Sequence, residues 1–177
     1  MINFRLCILL LCSFVIADEY ISIELSDSKK ELSQEIFKKL NNEHYIQEID
    51  KDNFNVRYFE AIIEKLDKEK NLFIEKEVQS YIKKSRDVID GDFDIKLAYE
   101  LINLYFDRLT DFFEYQIDLI EENNFDFSKK EYLDIYYEDN QWKSNFNDLY
   151  KLWKLETKND LLIAKLSDSS NSEPSND

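Results

Sequence analysis

Two acidic runs contain the residue types of a calcium-binding loop. They are residues 50–53 (DKDN) and residues 90–94 (DGDFD). A helix-loop-helix calcium site takes oxygen ligands from alternating positions and closes on a bidentate Glu at its twelfth position. In the first run the twelfth position is Ala61, and in the second it is Leu101. Because neither run has this ligand, we predict helix caps at both places and no metal site.

Adjacent carboxylates are the second candidate for chemistry, since two such groups can act as general acid and general base. Glu121 with Glu122 and Glu138 with Asp139 are pairs of this kind. A chain with 38 acidic residues contains adjacent pairs by chance, and nothing in the surrounding sequence marks one pair as buried. We interpret both pairs as parts of solvated faces.

A catalytic nucleophile needs a neighbouring base that activates it. Both cysteines lie within the first 17 residues, and the single histidine, His44, lies in the polar segment 41–48 (NNEHYIQE). No serine lies in a glycine-containing turn where a lysine would activate it. The sequence therefore predicts no catalytic residue and no bound cofactor.

The composition excludes further classes of protein. One glycine, Gly91, cannot form the glycine-rich loops that hold nucleotide phosphates. The formal net charge of -15 opposes binding to a phosphate backbone, so we expect no nucleic-acid partner. The apolar share of 44% is enough to bury a core, which argues against a disordered chain.

Residues 1–17 (MINFRLCILLLCSFVIA) have the layout of a secretory signal peptide. One basic residue precedes an apolar stretch, residues 6–16, and a small residue ends the segment, so we predict cleavage between Ala17 and Asp18. The stretch is too short for a membrane-spanning helix, which makes an uncleaved anchor the weaker alternative. We expect a periplasmic or secreted chain that has no membrane contact once the signal peptide is removed.

The rest of the chain has the apolar periodicity of helices. From Ser26 onward apolar residues recur on helical faces, and strand-like alternation is nearly absent. We predict an all-α fold, a single domain over residues 18–166 with about five helices and one long central helix, followed by a disordered tail over residues 167–177. The expected helices are 27–42, 53–67, 75–90, 93–123 and 142–166, with an irregular loop over 124–141.

Polar side chains and the one glycine mark the expected helix ends. The expected caps are Ser26 or Asp27, Asp52 or Asn53, Gly91 and Asp92. The spacing of Trp142 and Trp153 places both on one face of the last helix, where they fit a core position. Anchoring of a protein partner is the alternative role for these two side chains.

Five stretches carry motifs at characteristic spacing. They are ELSQEIFKKLNNEHY (31–45), YFEAIIEKLDKEKNLF (58–73), VIDGDFDIKLAYELINLYFDRL (88–109), FDFSKKEYLDIYYEDNQW (125–142) and LYKLWKLETKNDLLIAKL (149–166). The most telling positions are Leu66, Asp67, Asn71, Leu72, Phe73, Gly91, Asp92, Asp94, Trp142, Leu149, Trp153, Lys158, Asn159, Asp160 and Leu162. In this order the stretches resemble the N-terminal helical domain of bacterial tail-specific proteases, also called carboxy-terminal processing proteases. The resemblance covers roughly residues 30–166.

The resemblance implies an all-helical periplasmic domain. In the full enzymes of that family this domain helps form the body around the substrate channel and contacts adaptor proteins. A PDZ module and a protease domain with a serine nucleophile and a lysine base follow it there. The present sequence ends about where those modules are expected to begin, so the resemblance carries over no catalytic residue. We expect the motif residues to be structural.

Three hypotheses for function follow from these observations. The first is a non-catalytic exported domain, not an enzyme, that binds another protein through apolar grooves between its helices or is a remnant of a split or decayed protease gene. The second is a helical subunit supplied in trans to a separately encoded processing protease. The third is a secreted acidic interaction protein unrelated to proteolysis. The expected partner in the first two is a protein, either such a protease or an adaptor.

Overall fold

The computed structural model describes residues 22–43, 51–87, 93–122, 125–134 and 140–171. Within these ranges the chain forms five helices and no strand: α1 (Asp27–Glu43), α2 (Lys51–Leu66), α3 (Glu75–Arg86), α4 (Ile95–Glu122) and α5 (Phe146–Asn171). This confirms the all-α fold and the five helices expected from the sequence. The 28 residues of α4 give it a length of about 42 Å, so α4 is a long helix as expected.

Several sequence predictions fall on residues outside the described ranges. These are the signal peptide with its cleavage site at Ala17 and Asp18, the histidine His44, the pair Glu138 and Asp139, and the caps Gly91 and Asp92. No helix in the described part of the chain is long and apolar enough to cross a bilayer.

The first and fourth helices each begin at a polar capping side chain. Ser26 Oγ accepts a hydrogen bond from the Lys29 N–H at 3.4 Å, which confirms the expected start of α1. Asp94 Oδ1 accepts one from the Leu97 N–H at 3.0 Å. The helix predicted over 93–123 therefore begins later than expected, because Asp94 caps its exposed N–H groups.

The second and third helices also differ from their predicted bounds. Helix α2 begins at Lys51, so Asp52 and Asn53 lie inside it and the prediction of either as its cap was wrong. Helix α3 ends at Arg86, before the predicted end at residue 90. The backbone leaves the helix at Asp87, whose N–H donates to the carbonyls of Lys83 and Lys84 in the last turn.

The last helix is displaced toward the C-terminus relative to the prediction. Asn145 Oδ1 accepts a hydrogen bond from the Asp148 N–H at 3.0 Å and starts α5 at Phe146. Trp142 therefore precedes the helix, and its predicted place on one helical face with Trp153 was wrong. Helix α5 continues through Asn171, so residues 167–171 are helical and not part of a disordered tail. The remainder, 172–177, lies outside the described residues.

The main core lies between α2, α3 and α4. Phe59, Ile63 and Leu101 are among its most enclosed side chains, each almost fully removed from solvent. The other buried members of this cluster are Val56, Phe73, Val78, Ile82, Leu97 and Ala98. Burial of these faces against one another is the main stabilisation of a helical domain of this kind.

A second buried cluster attaches α5 to the rest of the domain. Trp153 is 0% exposed, and its ring lies 5.3 Å from that of Phe112 and 6.0 Å from that of Tyr115, both on α4. Ile74 and Leu149 complete the buried centre. The prediction of Trp153 as a core residue is confirmed.

Candidate functional site

A buried carboxylate organises the turn between α2 and α3. Asp67, 2% exposed, lies at the end of α2 and opens a loop that we call the Asp67 loop, residues 67–74. Its Oδ1 accepts hydrogen bonds from the N–H groups of Asn71 at 2.8 Å and Leu72 at 3.2 Å. Its Oδ2 accepts from the Phe73 N–H and from Trp142 Nε1, both at 2.9 Å.

The surroundings of the Asp67 side chain suit a structural contact within the domain. Burial raises the pKa of its carboxyl group, and the four donated hydrogen bonds oppose that rise. The two carboxylate oxygens accept all four of these bonds, and the side chain is closed to solvent. A group so enclosed holds the loop and Trp142 in place and has no access to a substrate.

Trp153 and Glu156 hold the same loop from α5. Trp153 Nε1 donates to the Asn71 carbonyl at 2.5 Å. The Asn71 side-chain amide donates in turn to the two Glu156 oxygens at 3.2 and 3.3 Å. Burial raises the pKa of Glu156 to about 7, and the nearby carboxylates of Glu69 and Asp160 add to this rise.

Lys70 has a left-handed backbone conformation, and its side chain contacts the segment before α5. Its φ of 56° lies in the left-handed region, which costs a residue with a Cβ about 1 kcal/mol or more. The Lys70 Nζ donates to the Asn140 carbonyl at 2.6 Å and lies 5.2 Å from the centre of the Trp142 ring. These contacts tie the loop to the segment before α5, where the N–H of Glu75 also bonds to the Lys143 carbonyl at 2.9 Å.

The sequence motifs thus divide into three groups in the structure. One group converges on the Asp67 loop and the two core clusters that adjoin it: Leu66, Asp67, Phe73, Trp142, Leu149 and Trp153. Asp94 lies apart from it, at the start of α4. Lys158, Asn159, Asp160 and Leu162 lie on the second half of α5. The hydrogen bonds and buried contacts that bring the first group together are internal to the domain.

Lys158 fastens the loop after α4 to α5. Its Nζ donates to the Asp126 carbonyl at 2.6 Å and pairs with the Glu131 carboxylate. It also lies 5.8 Å from the centre of the Phe127 ring. Beside it a groove of about 540 Å³ opens between this loop and α5. Four lysines line that groove: Lys129, Lys151, Lys154 and Lys158.

An open apolar groove of about 410 Å³ lies on another part of the domain, between α1, α2 and the start of α4. We call it the apolar groove. Leu32 and Ile36 of α1 line it and remain 55% and 50% exposed. The other lining residues are Lys29, Ser33, Phe37, Phe54, Tyr58, Phe93, Ile95 and Tyr99.

Residue spacing indicates only part of the lining of these grooves. Helical spacing places Leu32, Ile36 and Phe37 on one face of α1, and of these three only Phe37 is buried. The lysine-lined groove was missed. The spacing of Lys151, Lys154 and Lys158 on one face of α5 was a usable sign, but the loop that forms the opposite wall has no periodic pattern.

The lining of the apolar groove is that of a surface that can receive an apolar segment. Among the described residues, no group of three or more His, Cys, Asp or Glu side chains is placed to hold a metal ion. The apolar groove offers two half-exposed aliphatic side chains and several aromatic rings, which suit the apolar face of another protein segment.

Two comparisons with known proteins bear on this chain. The family model described as the tail specific protease N-terminal domain matches residues 36–177. A comparison with curated proteins found no match.

Proposed function

Because the chain belongs to the tail-specific protease N-terminal domain family, we propose that it is a non-catalytic, exported helical domain that binds another protein through the apolar groove. The family match relates the chain to tail-specific proteases, which favours the first two hypotheses over the third. The matched family is an N-terminal domain of these proteases, and the described residues of this chain form helices with open grooves between them.

The single observation that carries the proposal is the exposure of the groove's aliphatic wall. Leu32 and Ile36 lie one helical turn apart on α1 and leave about half of each side chain in water. Covering such a side chain by a partner is favourable by about 1 kcal/mol for the half that is still exposed. The pair therefore gives a partner binding energy that the isolated domain does not use.

The charge of the chain indicates what kind of partner is favoured. A net charge of -15 repels acidic proteins and steers basic ones toward the surface, which raises the association rate more than the final affinity. We therefore propose that the groove receives an apolar segment with basic residues beside it. The compartment of this encounter is the periplasm or the exterior, as the sequence of residues 1–17 suggests.

A comparison of bait proteins tests this role of the groove. The chain from Asp18 onward and its double variant Leu32→Ser/Ile36→Ser are immobilised and exposed to an extract of exported proteins. The matched control is Leu162→Ser/Ile163→Ser, which makes the same changes at exposed positions on α5. We expect partners to be retained by the wild type and the control and lost from the groove variant. Equal retention by all three baits would contradict the proposal.

A second candidate function is that of a helical subunit supplied in trans to a separate tail-specific protease, which the family match favours. Its test is to mix the chain with a tail-specific protease from which this domain has been deleted. We expect co-elution on a sizing column and a changed cleavage rate. Separate elution together with an unchanged rate would remove this candidate and leave binding to a different protein as the function.

A further inference from the structure

The C-terminal half of α4 presents an apolar stripe to solvent. Phe113, Ile117 and Ile120 are 52%, 55% and 47% exposed. At about 100° per residue the three side chains fall within roughly 60° of the helix circumference, so they form one stripe. We call it the α4 stripe. It lies about 21 Å along the helix from Tyr99, the last residue of α4 that lines the apolar groove, so it is a separate surface.

The α4 stripe is bordered by carboxylates for which the described part of the chain supplies no ion-pair partner. Glu114, Asp118 and Glu121 lie on the arc beside the stripe, about 80° to 140° from Phe113. Each of the three is exposed, and none forms an ion pair with another residue of the described ranges. No Lys or Arg occurs in the sequence from residue 109 to residue 122.

The position of these acids is unfavourable for the isolated helix. The C-terminal end of a helix carries the negative end of its dipole, which favours Lys and Arg there and disfavours Asp and Glu. Helix α4 has no basic residue in its last turn and ends in Glu121 and Glu122. A cationic partner lying along this end would compensate both the side-chain charges and the helix dipole.

From this arrangement we propose that the α4 stripe is a docking surface for a basic amphipathic helix of another protein. The apolar face of that helix would cover Phe113, Ile117 and Ile120, and its Lys or Arg residues would lie against Glu114, Asp118 and Glu121. A second copy of the chain is disfavoured as the occupant, because each copy carries a net charge of -15 and supplies no basic residue beside the stripe to meet the other copy's carboxylates. An anionic lipid surface is disfavoured by the same repulsion.

A designed peptide tests the chemistry of this surface. The probe is a fluorescent peptide of about 18 residues, with Leu along one helical face and Lys beside it, which is long enough to cover the stripe as a helix. Its counterpart has Glu in place of every Lys. We expect the Lys peptide to bind the full chain at least about tenfold more tightly than the Glu peptide at low salt, and this preference to shrink as salt is added.

Matched variants of the chain locate the site. Ile117→Ser removes a side chain from the stripe, and Ile163→Ser makes the same change on α5 at the same 55% exposure. We expect Ile117→Ser to weaken binding of the Lys peptide about tenfold and Ile163→Ser to leave it unchanged. Circular dichroism of both variants checks that each is folded.

A charge variant keeps the test decisive if a stripe variant misfolds. Asp118→Asn/Glu121→Gln is expected to slow association of the Lys peptide about tenfold at low salt. The control Glu60→Gln/Glu64→Gln, which removes two exposed charges from α2, is expected to have a small effect. The proposal is overturned if both peptides bind equally or neither binds, if both isoleucine variants lose the same affinity, or if the stripe proves to join two copies of the chain. It does not rest on the apolar groove, so its failure would leave the proposed function intact.

Discussion

Replacement of Glu156 by Gln is predicted to stabilise the domain at neutral and alkaline pH. Glu156 lies between α5 and the Asp67 loop, where burial raises its pKa from 4.5 to about 7. Gln has nearly the same shape, and its side-chain carbonyl can accept the hydrogen bond that the Asn71 amide now donates to the carboxylate. The substitution therefore removes the buried charge and keeps the contact.

The size of the effect follows from the pKa difference between the folded and unfolded states. A rise from 4.5 to about 7 corresponds to about 3 kcal/mol for a fully buried group. Because Glu156 is partly exposed, screening by solvent reduces this to roughly 1 to 2 kcal/mol. Below pH 4.5 the carboxyl is protonated in both states. Between pH 4.5 and about 7 the unfolded state gives up the proton that the folded state keeps, so wild-type stability falls across this window and levels off above pH 7, where the folded state holds the buried charge.

The assay is urea unfolding of the wild type and Glu156→Gln at a series of pH values between 4.5 and 8.5. We expect the two unfolding free energies to agree near pH 4.5 and the variant to exceed the wild type by roughly 1 to 2 kcal/mol at pH 8. Glu64→Gln, an exposed change on α2, is the control and should follow the wild type at every pH. A difference that is independent of pH, or a variant that is less stable than the wild type at pH 8, would refute the reasoning.

Three further predictions concern the buried residues Trp153 and Asp67 and the signal peptide. Trp153→Ala should lower the free energy of unfolding, measured with urea, by roughly 3 to 5 kcal/mol, because it leaves a cavity in the second core cluster. A loss below about 1 kcal/mol would place Trp153 outside the core. Asp67→Asn should cost about 3 kcal/mol in the same assay, since an amide group would then face donors that now meet a carboxylate; an unchanged free energy would show that the loop does not depend on this charge. Intact-mass measurement of the exported chain should give an N-terminus at Asp18, and a mass that retains residues 1–17 would contradict signal-peptide cleavage.

Apolar periodicity was sufficient to predict the helices but not all of their ends. The stripes on α2, α3 and α4 are long and regular, so the elements were found from the sequence. The start of α4 was misplaced because Asp92 and Asp94 are both capping residue types, and their order along the chain does not say which one meets a free N–H. The extension of α5 to Asn171 was missed because its last residues are polar and have low helix propensity.

The hydrogen bonds of the Asp67 loop were beyond prediction from sequence spacing. Asp67 and Trp142 are 75 positions apart, and their bond exists because α5 packs against α4 and brings the preceding segment back to the end of α2. The sequence places an acid near an apolar run but gives no sign that the acid is buried. The sequence also does not show whether Leu32 and Ile36 are buried, because their helical spacing is equally consistent with a core face and with a binding face.

The role proposed for the apolar groove is to bind another protein. Its most direct test is photo-crosslinking in cells that make the chain, with benzoylphenylalanine at position 36 in the groove or at position 163 on α5. Ile36 and Ile163 are similarly exposed, so access to random neighbours is matched. We predict a discrete adduct between the chain and a different protein from position 36 and none from position 163. Identical adducts from both positions, or no adduct from position 36, would contradict the claim.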